Sequence, residues 1–217
     1  MTSFAILVYD QVEAVDLGAT FGVLSMARRL EPTIEMYTVA RVAGIVRLAN
    51  GLEMIAQYGF DNCPAADVLM ILGGASWPQQ SQDDATLNFI RKFCQEGTVA
   101  SVCTGGLILA ATGLLKGKTV TTRRYAPPGV PTPLSIMREL FPDLNPVEAQ
   151  VIDNGAIITG GGVMLSADTT LHLIEKYFGE KLAWDVAHLI EYKTAWQANR
   201  AEFSTEGRRE LARPGHS

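Results

Sequence analysis

The stretch Thr98-Val99-Ala100-Ser101-Val102-Cys103-Thr104-Gly105-Gly106 decides the fold. A short β-branched strand stops on a cysteine, two glycines follow Thr104, and the small-residue run Leu107-Ile108-Leu109-Ala110-Ala111 starts a helix at once. A strand that turns directly into a helix is the local signature of a parallel α/β sheet. The same corner sets a thiol beside the positive end of a helix dipole, which lowers a thiol pKa and favours an accessible thiolate. It is the cysteine counterpart of a nucleophile elbow. The competing reading is a core thiol with glycines for tight packing, because free cysteine is among the most buried residue types. This segment alone does not choose between them.

Outward from the elbow, apolar runs alternate with helical patterns. Phe4–Val8, Glu35–Ala40 and Val68–Leu72 read as buried strands, and Asp16–Leu30 carries Leu17, Phe21, Leu24 and Ala27 at helical spacing. Val42–Gln57 reads as a hairpin around Asn50-Gly51, and Asp153-Asn154-Gly155 turns a second hairpin between 149–152 and 156–159. Ala85–Gln95 and Leu165–Phe178 read as helices, the second closed by Gly179, and a last helix runs from Lys181 to Tyr192. Thr119–Thr122 reads as a strand. Six of the ten prolines lie between Pro127 and Pro146, which predicts a loop there with a short helix near Leu134–Leu140. The expectation is an α/β three-layer sandwich, flavodoxin-like, with a mostly parallel central sheet and small β-hairpins. One domain is expected over residues 1–195, followed by a C-terminal tail over 196–217 that frays from Ser204 onward.

Composition narrows the function. Of 217 residues, 47% are hydrophobic and 19% charged, enough for a core; net charge is −5 and no basic block precedes the last fifteen residues, so no nucleic-acid partner is expected. No apolar run approaches the roughly 20 residues of a membrane span, and the N-terminus lacks the features of a signal peptide. Three scattered cysteines fit a reducing, cytoplasmic setting. Three histidines without metal-ligand spacing predict no metal site, and no phosphate-binding glycine motif appears.

Ligands of such sheets bind beyond the carboxyl ends of the strands. Asp16 after the first strand, Gly73-Gly74 after Val68–Leu72, and Cys103 all fall on that edge. Each has a plainer alternative. Asp16 can cap its helix, Gly73-Gly74 can be an ordinary turn rather than a pair of oxyanion donors, and Thr104 can be a helix-start residue rather than a group that holds water near the sulfur. Arg123-Arg124 can bind an anionic group or form a solvated face.

Taken together, Asp16-Leu17, Asp67–Gly74, Val102–Gly105, Gly113–Lys118 with Thr121-Thr122, and Thr159–Gly162 with Asp168 resemble the ThiJ/PfpI superfamily over residues 4 to 192. The pattern is most similar to isonitrile hydratases and to the ligand-binding domains of some AraC-type regulators. The resemblance implies a cofactor-independent hydration of a small-molecule isonitrile to an N-substituted formamide. Cys103 would be the nucleophile, Asp16 the general acid and then base, and Thr104 a positioning group. Gly73, Gly74, Thr122 and Arg123 would bind the oxyanion or substrate. A homodimer is expected, as in relatives. The other readings are a non-catalytic ligand-binding module and a redox-sensing or stress-response protein. Two segments depart from the hydratase pattern: the chain reads Asp16-Leu17-Gly18-Ala19-Thr20-Phe21 where the hydratases continue from the aspartate into a Gly-Pro pair, and Arg123-Arg124-Tyr125 where His and an aromatic residue are usual. Both are expected to shape the pocket.

Overall fold

The computed structural model describes residues 1–211, with side chains through residue 202. β1 (Thr2–Leu7) is an apolar strand whose last four residues are buried. The single helix expected after it is interrupted. α1 (Ala14–Leu17) passes through a π-helical turn over Gly18–Gly22 into α2 (Val23–Ala27). Such turns insert one extra residue per turn and redirect the side chains before them. β2 (Ile34–Ala40) returns to the sheet, and β3 (Gly44–Arg47) with β4 (Glu53–Ala56) forms the expected antiparallel hairpin, Asn50 taking a left-handed φ of 63° at its tip. β5 (Tyr58–Gly59) and β6 (Val68–Ile71) follow, and α3 (Trp77–Gln80) adds a short turn that periodicity does not reveal.

α4 (Asp84–Phe93) starts where the Asp83 carboxylate accepts the Thr86 amide at 3.0 Å, and it buries Leu87 and Ile90. β7 (Thr98–Ser101) and α5 (Gly105–Ala111) form the elbow. β8 is shorter than expected, only Thr119–Val120, and pairs with β9 (Asn145–Pro146) outside the main sheet. Between them lies α6 (Pro133–Leu140), capped by Thr132. β10 (Val151–Asp153) and β11 (Ile157–Gly160) form the second hairpin, and α7 (Leu165–Phe178), α8 (Glu180–Leu189) and α9 (Lys193–Leu211) complete the described chain.

The main sheet runs β10-β11-β7-β6-β1-β2-β5. Every neighbouring pair is parallel except the β10–β11 hairpin at one edge. Its helices flank a mostly parallel sheet, as the sequence reading anticipates. Strand order reverses on either side of β1, so the crevice between the carboxyl ends of β1 and β6 is the topological switch point, where such folds bind ligands.

The C-terminal segment is not the tail expected from residue 196. α9 begins at Lys193, and Trp196 is 1% exposed against Trp184, with ring centroids 4.6 Å apart. Burying an indole offsets the entropy lost on ordering the chain around it, so the helix packs onto the domain. Of the fraying expected from Ser204, residues 204–211 are helical, and 212–217 lie outside the described residues. Among the described residues no helix is long and apolar enough to cross a membrane, and no group of three or more His, Cys, Asp or Glu is placed to hold a metal ion.

Candidate active site

The elbow is stitched to three neighbouring elements. The Val102 amide donates to the Ile71 carbonyl at 3.0 Å and the Cys103 amide to the Gly161 carbonyl at 3.0 Å. The Thr122 hydroxyl donates to the Cys103 carbonyl at 2.5 Å. Held this way, Cys103 takes φ 52°, a left-handed value that few non-glycine residues adopt. Such backbone strain persists only where the surroundings over-determine it, and it concentrates at functional sites. The Thr122 hydroxyl is therefore engaged in holding the Cys103 backbone.

Asp16 is completely buried, and it is not the helix cap. Glu13 caps α1 by accepting the Val15 amide, while Asp16 lies inside the helix and points at the elbow. Its Oδ2 accepts the Gly73 amide at 3.0 Å and its Oδ1 accepts the Ser166 hydroxyl at 2.8 Å. The Cys103 thiol lies close enough to this carboxylate for each to shift the other's titration. Burial dominates and pushes the Asp16 carboxyl up from 3.8 to about 6, against Ser166, Cys103 and Gly73, which lower it.

The thiol departs from expectation. Cys103 is 1% exposed, and burial followed by the adjacent Asp16 charge pushes its thiol well above the usual range. Arg123 and the Thr104 amide pull the other way and do not offset this. The dipole of a seven-residue helix is a smaller effect than desolvation next to a carboxylate. The resting pair is thus a neutral thiol beside an ionised Asp16.

Two further expectations need correcting. Gly73 and Gly74 were candidate oxyanion donors, but the Gly73 amide already serves Asp16 and the Gly74 amide donates to Thr104 Oγ1 at 2.9 Å. Thr104 was a candidate for holding water near the sulfur. Its hydroxyl instead donates to the Gly74 carbonyl at 3.2 Å while accepting that residue's amide, so it clasps the β6 turn to the elbow. Gly73 is there for close approach: a Cβ would stand 2.8 Å from both Asp16 Oδ2 and Cys103 Cβ.

Arg123 does reach the site. It borders a cavity of about 270 Å³ that also touches Cys103, Thr104, Gly74 and Trp77. A larger cavity of about 390 Å³ lies by the β3–β4 hairpin and α4, away from the thiol. The smaller one is the candidate site, because it alone of the two is lined by a cysteine.

Sequence reasoning missed Ser166 and Tyr9. Ser166 opens α7, 150 positions from the carboxylate it serves, and only the fold brings the two together. Tyr9 is buried beside the pair and donates to the Leu72 carbonyl at 2.8 Å. Asp168, singled out with the glycine-rich motif, is engaged by other partners. Gln150, Tyr192 at 2.8 Å and Asn199 at 3.2 Å donate to it, and these bonds tie α7 to the C-terminal helices.

Comparison with known proteins agrees with this architecture. Residues 2–176 match the DJ-1/PfpI family. The chain is similar to isonitrile hydratase of Pseudomonas putida, 33% identical over 192 residues, covering 87% of this chain and 78% of that protein. It is also similar to the HTH-type transcriptional regulator GbdR of Pseudomonas aeruginosa, 27% identical over 196 residues; the match covers 88% of this chain and only 51% of the regulator. Among solved structures, a ThiJ/PfpI family protein from Pseudomonas syringae superposes with a TM-score of 0.73 at 25% identity, covering 94% of this chain and 88% of that one.

Proposed function

The chain belongs to the DJ-1/PfpI family, and on that premise we propose that it is an isonitrile hydratase, converting R–N≡C and water into R–NH–CHO. The observation that carries this reading is the buried Cys103–Asp16 pair, which holds one proton between a nucleophile and a base.

An isonitrile carbon must receive both a nucleophile and a proton. As Sγ bonds to that carbon, the thiol proton passes to Asp16 and from Asp16 to the same carbon, giving the thioimidate R–N=CH–S–Cys103. Asp16, ionised again, takes a proton from an entering water and delivers it to nitrogen while the hydroxyl adds to carbon. The resulting R–NH–CH(OH)–S adduct then collapses: the C–S bond breaks, the hydroxyl proton returns to sulfur through Asp16, and the formamide leaves. Acid and base work by one carboxyl is most effective when its pKa lies near the working pH, which a value of about 6 supplies.

The engaged glycine amides also favour this chemistry. Attack on a peptide or ester carbonyl develops an oxyanion at once and needs free donors aimed at it. Attack on an isonitrile carbon develops charge on carbon, beside the proton source. A redox sensor, for its part, needs an accessible low-pKa thiol, and Cys103 is buried and protonated.

The test is turnover of a small alkyl isonitrile by the wild type and by Cys103→Ala, with formamide measured by chromatography. The variant keeps the wild-type circular dichroism and makes no formamide. Wild-type kcat/KM rises as pH passes about 6, where Asp16 ionises, and holds into the alkaline range because the thiol stays protonated. Turnover by Cys103→Ala, or none by the wild type, would sink the reading.

A further inference from the structure

The adjacent arginines of the 123–125 segment have opposite surroundings. Arg124 pairs with Glu202 at 3.3 Å and Glu148 at 3.9 Å, and its guanidinium lies 5.0 Å from the centre of the Tyr125 ring. Arg123 Nε is closed off from solvent and makes no hydrogen bond among the described residues. Buried donors are nearly always satisfied, and a charged one left open is a strong deficit. Its backbone cannot drift to repair this. Thr122, just before it, is bonded to the Cys103 carbonyl, and the Arg123 carbonyl accepts the Leu134 amide at 3.1 Å. The Arg123 backbone is therefore anchored between the elbow and α6, and its side chain borders the same cavity as the thiol.

The cavity's other walls define the ligand. Trp77, Val130, Pro131 and Ile136 are apolar, and Arg123 is the cation among its lining residues. Glu13 borders it as well, and Asp16 stands at the thiol. A negative group elsewhere in the cavity would meet these carboxylates, so it is confined to the Arg123 end. The end of the ligand that approaches Cys103 is then uncharged, as an isonitrile is. At about 270 Å³ the space lies below the usual range for drug-sized ligands, so the body joining the two ends is short.

Resting on the hydratase reading, we propose that the substrate is a small isonitrile bearing a carboxylate, which Arg123 holds while Cys103 attacks the isonitrile carbon. The planar guanidinium fork matches a carboxylate in a way that an ammonium point charge does not. Arg123 is in this reading the residue that sets specificity.

The experiment compares isocyanoacetate with its neutral methyl ester. Wild-type kcat/KM is expected to favour the acid by about 10- to 100-fold, the range for one charge-assisted hydrogen-bonded contact. Arg123→Gln loses that preference, and Arg123→Lys, which keeps the charge without the fork, retains part of it. In parallel, N-formylglycine is titrated calorimetrically into Cys103→Ala, which cannot turn over, and into Cys103→Ala/Arg123→Lys. The first is expected to bind about tenfold or more tightly than the second, and N-formylglycine methyl ester is expected to bind to neither. Equal wild-type kcat/KM for acid and ester, or an Arg123→Gln enzyme that still prefers the acid, overturns the proposal while leaving the hydratase reading in place. Turnover of neither isonitrile overturns the hydratase reading. N-formylglycine binding that depends on Arg123 would still uphold the carboxylate site, and its absence would overturn the site.

Discussion

Replacing Asp16 with asparagine is expected to remove activity and strengthen the fold, by an amount that depends on pH. Burial raises the Asp16 carboxyl from 3.8 to about 6, so the folded chain holds this proton more tightly than the unfolded chain does. Below about pH 4 both states are protonated, and the stabilising preference for the neutral carboxyl is fully present. As pH rises from about 4 to about 6 the unfolded chain releases its proton first, and that contribution is lost progressively through the folded pKa. The full shift of about two units corresponds to ~3 kcal/mol at about 1.4 kcal/mol per unit, and about 2 kcal/mol of it falls between pH 4.5 and pH 8. Asparagine is neutral throughout. Its carbonyl can still accept the Gly73 amide, and its NH₂ meets a Ser166 hydroxyl able to accept. Urea unfolding of both proteins should therefore show Asp16→Asn gaining about 2 kcal/mol relative to wild type between pH 4.5 and pH 8, roughly 4 to 8 °C in Tm for a chain of this size. Loss of function with gain of stability is the mark of a group kept for chemistry. A stability difference that does not move with pH would refute the claim that a buried, ionised Asp16 is costly to the fold.

Ser166→Ala removes the 2.8 Å donor to Asp16, so the carboxyl should rise further and the acidic limb of the kcat/KM profile should move up by about one unit. An unmoved limb would show that Asp16 does not control that limb. Gly162→Ala would put a Cβ 2.8 Å from Cys103 Sγ and 2.7 Å from its Cα, both in a closed interior; turnover should fall at least about 100-fold and unfolding should come about 2 kcal/mol earlier in urea titrations. Trp196→Ala should cost about 3–5 kcal/mol in the same assay, since the indole is buried on Trp184 and lies under Arg200 at 4.8 Å. A loss under about 1 kcal/mol would place α9 outside the cooperative core.

The parts of the site legible in the sequence are those that short-range chemistry dictates. The β-branched run ending at Cys103 and the glycines after it describe a strand, a strained turn and a helix within nine residues, and the structure repeats that order. Asp16 and Gly73 could be placed on the same sheet edge because each follows a recognisable strand. What stayed hidden depends on distant partners. Nothing near Gly73 reveals that Asp16 takes its amide, and nothing near Thr104 reveals that its hydroxyl is spent on Gly74. Ser166 is invisible for the same reason, as a serine at a helix start has a local explanation. The helix that begins at Lys193 is not legible as one because its polar composition hides a single buried tryptophan, and one indole at the right spacing is enough to dock a helix.

The sign of the Cys103 shift bears on the chemistry as much as the residue's identity does. Desolvation disfavours the charged form of any acid, so it raises the carboxyl and the thiol together and preserves their ordinary order, 3.8 below 9.0. The first proton therefore leaves Asp16, and the charge of the resulting carboxylate raises Cys103 further. A standing thiolate is thus disfavoured across the neutral range. In the proposed reaction sulfur becomes nucleophilic only as its proton moves to Asp16, and that transfer is uphill unless another acceptor takes the proton on. An isonitrile carbon is such an acceptor, since the atom that sulfur attacks is also the one protonated. The elbow's contribution on this account is positional: it brings Sγ, Asp16 and the Arg123 cavity into one geometry, and the carboxylate rather than the helix dipole governs when the thiol reacts.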